Sequence, residues 1–308
     1  MEEIVVEQGL FERVDRQAPR LLARSPSFQE EWQLDAESMI LSFGDRPPGV
    51  RCPLAVFAYP LGNEHVTIAR VADRLDGENS ANGKPTSLFL FQVLPRDAYT
   101  HLFGDPFALA ARLPQTWAAA GELPVCRLPA EPLPPRTVEE VRQVLRRIKG
   151  KPLSEDREPV EAEALTIDNA ESPALLGGVQ VLVDGGRLAF ERPSAETGLI
   201  PALWLLLPYS TRNQLWPASF AFGNALGFDA LVVPRAIGSE YNGYTSEEQA
   251  AVYPEGRYEL NLQIAVESGD QRQLDALFER RSWLETWRLA LTLLVGFTVL
   301  AILSRVLL

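Results

Sequence analysis

The chain has 308 residues, of which 46% are hydrophobic and 23% are charged, a balance typical of a folded globular protein rather than a disordered one. Its 29 basic and 41 acidic residues give a formal net charge of −12. Such a surface repels phosphate backbones, which argues against a general nucleic-acid-binding protein. The two cysteines are too few for a disulfide framework and fit a reducing cytoplasm. The first residues lack the basic start and apolar stretch of a signal peptide, so we expect no export directed by the N-terminus.

Three short apolar segments in the first part of the chain predict neighbouring strands, which we expect to be antiparallel. They cover residues 52–60, 65–72 and 87–95, and each is bounded by Gly, Pro, Asn or Asp, the residues that usually end strands. Residues 76–84 are rich in Asp, Gly and Asn and are predicted to form a loop between the last two strands.

The next part of the chain carries helical signals and a proline-rich passage. Residues 97–120 are predicted to be partly helical, and the prolines of residues 123–135 indicate a linker or surface strap. Thr137 and Glu140 have the spacing of a capping box, and the apolar residues after them repeat at helical spacing as far as Gly150. This pattern predicts a helix.

The second half of the chain combines predicted strands with an apolar helix. Residues 179–183 and 187–190 flank an Asp-Gly-Gly turn, which predicts a β-hairpin. Residues 195–207 are predicted to form a strongly apolar helix with a proline near its first turn. Residues 218–222 and 228–233 are predicted to be two further strands.

The approach to the C-terminus has a mixed pattern. Residues 258–266 alternate like a strand, but their Glu, Leu, Gln and Ala favour a helix, and we predict the helix. Residues 268–271 are predicted to cap another helix, which passes through Phe278 and continues toward the end of the chain.

The last residues of the chain have the length and composition of a membrane anchor. Residues 289–308 span about 30 Å as a helix, which matches the hydrocarbon thickness of a bilayer. Two threonines are the only polar residues between positions 289 and 303, which argues against a buried or amphipathic core helix. Tryptophan and arginine flank this segment, as at membrane interfaces. We therefore predict a tail anchor whose residues include Trp283, Trp287, Arg288, Leu289, Leu303, Arg305 and Leu308.

These elements together predict an α+β fold, with mixed or antiparallel sheet elements and packed helices in two subdomains, followed by one C-terminal transmembrane helix. The N-terminal α+β subdomain covers residues 1–150, and the second α+β subdomain covers residues 166–267. A charged linker at residues 151–165 is predicted to join them. Residues 268–288 are assigned to a juxtamembrane helix and residues 289–308 to the transmembrane helix.

Residues 77–86 are similar in composition to a phosphate-binding loop but differ from it in spacing. Such a loop has four residues between its glycines and Ser or Thr directly after its lysine, so that backbone N–H groups wrap the phosphates. Here five residues separate Gly77 from Gly83, and Pro85 follows Lys84. We therefore expect a solvated loop, and no cofactor is predicted.

Four residues are candidates for catalysis, but their sequence context does not support them. Cys52 and His65 could form a nucleophile and its base, although a buried structural cysteine at the start of an apolar strand is the simpler interpretation. His101 and Asp105 are four residues apart, yet the glycine and proline beside them predict a turn. With two histidines and no Cys-x-x-Cys or His-Glu-x-x-His spacing, we predict no catalytic residue and no metal site.

Two polar segments in the second half have competing interpretations. Residues 210–213 form a polar island between the apolar helix and the following strand, which could bind a ligand or simply cap the helix. The tyrosines of residues 241–244 could contact a partner, or they could belong to a turn before a helix that begins near Ser246.

A series of short motifs occurs in a fixed order between positions 5 and 235. They are Leu94-Pro95-Arg96, Gly104-Asp105-Pro106-Phe107, Leu206-Leu207-Pro208 with Arg212, and the strand from Leu215 to Phe220. This series resembles the N-terminal domain of the bacterial GTPase-associated protein family. The chain lacks the Gly-His pair with which that family usually opens, and Trp216 and Pro217 interrupt its Leu-Ser-Phe-Ser-Thr strand. The resemblance implies a shared fold and a setting near small GTPases in signalling or conflict systems, and it carries over no catalytic residue.

The predicted function is that of a membrane-anchored cytoplasmic adaptor or scaffold. The anchor, the acidic surface and the absence of catalytic spacing all favour it. The expected partners are membrane lipid, through the C-terminal helix, and a protein, but not nucleic acid. One alternative is an enzyme whose site is assembled from Cys52, His65, His101 or Asp105. The other is a subunit of a membrane complex in which the C-terminal helix packs against further helices.

Overall fold

A mixed β-sheet with helices on both faces forms the centre of the protein. The computed structural model describes residues 3–14, 16–74, 85–117, 121–148, 174–195, 198–254 and 256–279, and near the C-terminus residues 287, 290–295 and 297. Within these residues the sheet has eleven strands. The α+β class and the mixed sheet are therefore confirmed.

The first part of the sheet is antiparallel and contains the three predicted strands. Its strands are β1 (Glu3–Val14), β2 (Arg20–Arg24), β3 (Ala55–Leu61), β4 (His65–Asp73) and β5 (Thr86–Pro95). β3, β4 and β5 pair in antiparallel register, as predicted. β1 pairs with β5 on one side and with β2 on the other, and these two strands were not predicted.

The remaining strands extend the sheet on both sides. They are β6 (Gly121–Glu122), β7 (Cys126–Pro129), β8 (Arg187–Glu191), β9 (Pro217–Ala218), β10 (Ala230–Val233) and β11 (Tyr244–Thr245). The order is β11-β8-β10-β9-β3-β4-β5-β1-β2-β6, with β7 beside β1. Since β9 pairs with β3, strands from both predicted subdomains join one sheet. The linker predicted at residues 151–165 lies outside the described residues, and the division into subdomains stays a prediction.

Ten α-helices are described, and several lie where helices were predicted. They are α1 (Glu30–Ser42), α2 (Arg96–His101), α3 (Pro106–Arg112), α4 (Val138–Ile148), α5 (Leu175–Val183), α6 (Leu199–Leu206), α7 (Tyr209–Arg212), α8 (Glu247–Ala251), α9 (Arg257–Ser268) and α10 (Gln271–Phe278). The capping box of α4 is present, because Thr137 N donates to the Glu140 carboxylate at 2.8 Å and Glu140 N donates to Thr137 Oγ1 at 3.2 Å. The helix prediction for residues 258–266 is confirmed by α9.

The predicted β-hairpin at residues 179–190 is wrong in its first half, where the chain forms α5. Its valines favour a strand in isolation, but residues 175–182 are all buried, so no exposed face marks the segment as helical. Gly177 lets α8 approach closely, since a Cβ there would lie 1.9 Å from the carbonyl oxygen of Ala250. Tertiary packing therefore overrides the local preference for a strand.

The sheet has two ends that carry different chemistry. We use the term lower end for the end of the sheet at which five strands finish and three strands begin. The strands that finish there are β1, β4, β8, β9 and β10, and those that begin there are β2, β3 and β5. α6 begins near this end, where Ser194 bridges to Arg51. It finishes at the upper end, where the Trp204 indole donates to the carbonyl of Gly104, beyond the end of β5, at 2.9 Å.

The C-terminus of α6 is capped by side chains from remote elements. The last carbonyls of a helix lack partners within the helix, and here four consecutive ones accept hydrogen bonds from side chains. Arg212 Nε donates to the carbonyl oxygen of Trp204, and the Tyr258 hydroxyl donates to that of Leu206, both at 2.6 Å. Arg136 Nη1 donates to the carbonyl oxygens of Leu205 and Leu207, at 2.5 and 2.6 Å.

Arg136 is buried at the centre of this cap. Its guanidinium lies 3.3 Å from the ring centre of Phe278 and 4.6 Å from that of Tyr209, so that aromatic faces shield it from water. Burial, together with the nearby Arg212, lowers the pKa of Arg136 to about 9, and the side chain remains charged at neutral pH. Two positive charges therefore lie at the negative end of the α6 dipole.

Replacing Arg136 tests how far the fold depends on this cap. Arg136→Met removes both donated hydrogen bonds and leaves two buried carbonyls without donors, each at a cost of about 1–3 kcal/mol. We expect the free energy of unfolding to fall by about 3 kcal/mol, measured by chemical denaturation followed through tryptophan fluorescence.

Arg127→Met is the matched control, because Arg127 forms an exposed ion pair with Glu3 at 2.9 Å. Such pairs contribute about 1 kcal/mol or less. If Arg136→Met destabilises the protein no more than this control, the cap does not stabilise the fold.

Candidate functional site

Cys52 and His65 lie at opposite ends of the β3–β4 hairpin and cannot act together. The amide of Cys52 donates to the Asp73 carboxylate at 2.9 Å, at the last residue of β4. His65 is the first residue of the same strand, with its ring centre 4.9 Å from that of Trp32. Eight residues of extended chain separate the two sites, about 26 Å at the usual rise of a strand.

The thiol of Cys52 is also in the wrong environment for a nucleophile. The side chain is fully buried, and Sγ lies 3.8 Å from the carbonyl oxygen of Val71. Burial and the neighbouring Asp73 raise the pKa of the Cys52 thiol, which disfavours the reactive thiolate. Burial likewise raises the pKa of Cys126.

Asp105 has a structural role that occupies its carboxylate. It accepts hydrogen bonds from the amides of Phe107 and Ala108, at 3.1 and 3.0 Å, and so caps α3. Its other oxygen pairs with the Arg212 guanidinium at 3.1 Å. His101 is exposed at the end of α2, and positive φ angles follow it, including +59° at Gly104, which confirms the predicted turn.

The other segments that the sequence analysis singled out either have structural roles or lie mostly outside the described residues. The loop with the composition of a phosphate-binding loop lies almost wholly outside the described residues, which lack positions 75–84. Within the part of the chain that the structure describes, no group of three or more His, Cys, Asp or Glu side chains could hold a metal ion. The polar island at residues 210–213 supplies Arg212 to the cap of α6. Ser246 and Gln249 form a capping box at the start of α8.

The described part of the predicted anchor is helical and exposed. Residues 290–295 form helical backbone, and every one of them is exposed, as are Trp287 and Phe297. Leu294 and Phe297 expose 66% and 69% of their surface. Among residues 290–295 and 297 (without 296), Thr292 is the one polar residue. Of the predicted anchor residues only Trp287 is described, and Trp283, Arg288, Leu289, Leu303, Arg305 and Leu308 lie outside the described residues.

No helix among the residues placed by the structure reaches the length and apolar character required to cross a membrane. Residues 289 and 298–308 are not among them. The predicted transmembrane helix and its orientation therefore stay predictions.

A row of arginines along the lower end of the sheet is the feature that the sequence did not reveal. These side chains come from separate segments that precede, follow or end strands, and the strand order aligns them. We call them the arginine row, which consists of Arg13, Arg16, Arg20, Arg46, Arg51, Arg74, Arg192 and Arg235.

Two carboxylates in the row each serve two arginines. Asp45 pairs with Arg13 at 2.6 Å and with Arg16 at 3.4 Å. Glu12 pairs with Arg20 at 2.7 Å and with Arg74 at 2.5 Å. Each of these trios joins two arginines to one carboxylate.

The other members of the row differ in their partners. Arg46 pairs with Asp73, and Arg192 forms a two-pronged pair with the Glu247 carboxylate at 2.6 and 2.8 Å. Arg51 and Arg235 are exposed, and neither forms an ion pair within the described part of the chain. Two further carboxylates lie at this end of the sheet, since Glu191 accepts a hydrogen bond from the amide of Ala236 and Glu240 accepts one from the amide of Asn224.

Two large apolar side chains lie beside the row. Leu41 is 51% exposed and follows Ile40, whose carbonyl accepts a hydrogen bond from Arg13. Ile237 is 74% exposed and lies two residues after Arg235, beyond the lower end of β10. Arginine together with exposed apolar groups is the composition of protein interfaces rather than of ordinary surface.

Comparison with family models, with curated proteins and with solved structures gives no match to this chain. The interpretation of the site therefore depends on its own geometry.

Thiol labelling tests whether Cys52 is a structural residue. We expect both cysteines of the folded protein to resist iodoacetamide at neutral pH, because each is buried and its pKa is raised, and to react once the protein is denatured. Mass spectrometry of tryptic peptides measures the modification of each. Rapid modification of Cys52 in the native protein, with Cys126 as the internal control, would restore it as a candidate nucleophile.

Proposed function

We propose that the protein is a membrane-anchored cytoplasmic adaptor or scaffold, whose folded part holds a protein partner at the membrane face. The observation that carries this proposal is the exposed C-terminal helix. Leu291, Leu293, Leu294, Val295 and Phe297 each expose about half or more of their surface. Lipid is an environment that covers exposed apolar side chains of this kind.

The geometry of the reactive residues favours an adaptor over an enzyme. Cys52 and His65 are separated by the length of β4, and Asp105 is occupied by α3 and Arg212. Catalysis by these groups requires hydrogen-bond distances between them. Arg51 and Arg235, by contrast, are exposed, and Ile237 is exposed two residues after Arg235, a combination of residue types that is typical of protein interfaces.

A narrower proposal is that the adaptor acts in a bacterial GTPase-associated signalling or conflict system. The motifs that carry this resemblance meet around the end of α6. Gly104 accepts from the Trp204 indole, Asp105 pairs with Arg212, and Leu207 accepts from Arg136. These contacts bring the motifs together in one part of this fold, and the narrower proposal itself rests on the sequence resemblance. Co-purification of a small GTPase with the tagged protein tests the narrower proposal.

Charged substitutions in the exposed helix test the anchor. In the variant Leu291→Asp, Leu294→Asp and Phe297→Asp, each aspartate costs about 3 kcal/mol in the hydrocarbon core, or about 9 kcal/mol together. We expect the variant to move from the carbonate-washed membrane fraction to the supernatant, measured by immunoblotting.

A control variant makes the same change of charge elsewhere. Leu34, Val252 and Ile264 are also exposed apolar residues, on or beside α1, α8 and α9. With aspartate at these three positions, the protein should stay in the membrane fraction. Finding the unmodified protein in the supernatant, or the tail variant in the membrane, contradicts the anchor.

The adaptor role itself has a separate test. Affinity purification from detergent-solubilised membranes should return a specific protein partner, and repeated failure to do so counts against an adaptor.

Replacing residues 289–308 by an unrelated apolar helix separates a tether from a subunit of a membrane complex. A tether keeps its partner after the exchange, whereas a helix that packs against specific neighbours loses them.

A further inference from the structure

We propose that a small monovalent anion, of which chloride is the simplest, binds inside the protein at the C-terminus of α6. Its ligands are the side chains of Arg136, Arg212 and Tyr99, and we call this place the anion site. Three features carry the inference: the burial of two arginines at one helix end, the unpartnered donors of the three side chains, and the charge around them.

The two arginines are buried at the same helix end. Arg136 and Arg212 expose 6% and 2% of their surface. Their acceptors lie within one turn of α6, since Arg212 Nε donates to the carbonyl oxygen of Trp204 and Arg136 Nη1 donates to that of Leu205. Burial and then the charge of Arg212 lower the pKa of Arg136, so the two guanidiniums are close enough to repel each other.

The hydrogen bonds that hold these guanidiniums leave donors unused. Within the described part of the chain, Arg136 Nε, Arg136 Nη2 and Arg212 Nη2 are buried without a hydrogen-bond partner. The Tyr209 hydroxyl raises the pKa of Arg136 but is outside hydrogen-bond geometry with Nε and Nη2. Nε and Nη2 share one edge of the guanidinium, and such an edge binds an anion through two parallel hydrogen bonds.

The Tyr99 hydroxyl is a further donor beside Arg212. Tyr99 is 1% exposed, and its hydroxyl is unpartnered among the residues placed by the structure. Burial raises the pKa of Tyr99, Asp105 raises it further and Arg212 lowers it, so the hydroxyl lies near this ion pair. Buried polar groups of native proteins are nearly always hydrogen-bonded. Four unpartnered donors around one helix end therefore indicate a bound group.

The charge at this helix end favours an anion. Among the described residues, Asp105 is the one carboxylate that pairs with Arg136 or Arg212. Asp275, in α10, accepts instead from Gln271 at 2.8 Å and is not among the groups that shift the pKa of Arg136. Two guanidiniums and one carboxylate leave one positive charge, of which the α6 dipole offsets about half. A single monovalent anion supplies the rest.

Other small ligands match the anion site less well. A water molecule donates hydrogen bonds as well as accepting them, whereas the unpartnered atoms here are four donors and one neighbouring acceptor, Asn213 Oδ1. Phosphate or sulfate brings more negative charge than one excess guanidinium balances, and an excess charge inside a protein is unfavourable. Chloride only accepts, and it carries one charge.

Urea denaturation of the full chain, in neutral detergent at pH 7 and with increasing sodium chloride, tests the proposal. Sodium gluconate at equal ionic strength is the reference, because it screens surface charges equally but is too bulky for a buried site. We expect the urea midpoint, followed by tryptophan fluorescence, to rise with chloride and to stay lower in gluconate. At ten times the dissociation constant, chloride raises the ratio of folded to unfolded protein about elevenfold.

Arg136→Lys should abolish the difference between chloride and gluconate, because it removes the unpartnered edge and keeps the positive charge. Arg142→Lys is the matched control and should keep the difference. Arg142 also caps a helix, donating to the carbonyl of Val266 at 2.9 Å, and its nitrogens are not among the buried unpartnered atoms. If Arg136→Lys does not fold, Tyr99→Phe carries the comparison, with an affinity for chloride about tenfold weaker.

Anomalous diffraction from crystals grown in bromide locates the anion directly, and we expect bromide within hydrogen-bond distance of Arg136 Nη2 or Arg212 Nη2. The proposal is overturned if chloride and gluconate shift the midpoint equally, or if the chloride effect survives in both Arg136→Lys and Tyr99→Phe. A water molecule bound to these donors in crystals grown in bromide overturns it as well and assigns the site to buried water.

Discussion

Hydrogen bonds from arginine side chains to the C-terminal carbonyls of helices hold distant parts of this protein together. Four helices depend on such caps, and in each the arginine comes from another part of the chain. Arg13 donates to the carbonyl of Ile40 at the end of α1, and Arg70 to those at the end of α3. Arg136 caps α6, and Arg142 donates to Val266 near the end of α9. A guanidinium suits this role because its donors reach several carbonyls at once and its charge opposes the helix dipole.

The several donors of one guanidinium also connect the cap of α1 to the arginine row. Arg13 uses one nitrogen for the carbonyls of Ile40 and Gly44 and another for the Asp45 carboxylate, so it belongs both to the cap of α1 and to the arginine row. Arg13 is therefore held in place by the fold. Arg16, Arg51 and Arg235, at the same end of the sheet, are exposed.

The sequence predicted the elements whose signals are local. β3, β4 and β5 are short apolar runs with clear boundaries, and α4 begins at a capping box. β1 was missed because Glu7, Gln8, Glu12 and Arg13 look like surface residues, although all four are buried and bonded to neighbours such as Ser25. The arginine row could not be predicted for a related reason. Its members are scattered between positions 13 and 235, and only the strand order brings them to one end of the sheet.

The way α10 is held bears on what the anchor does. At its start, Gln271 accepts from the amide of Val138 and donates to the carbonyl of Arg136, both at 2.9 Å. At its end, Phe278 stacks on the Arg136 guanidinium. The helix that leads toward the anchor is thus fixed to the cap of α6 at both ends. α10 therefore cannot turn independently of α6. The orientation of the proposed anchor relative to α10 depends on residues 280–286, which lie outside the described residues.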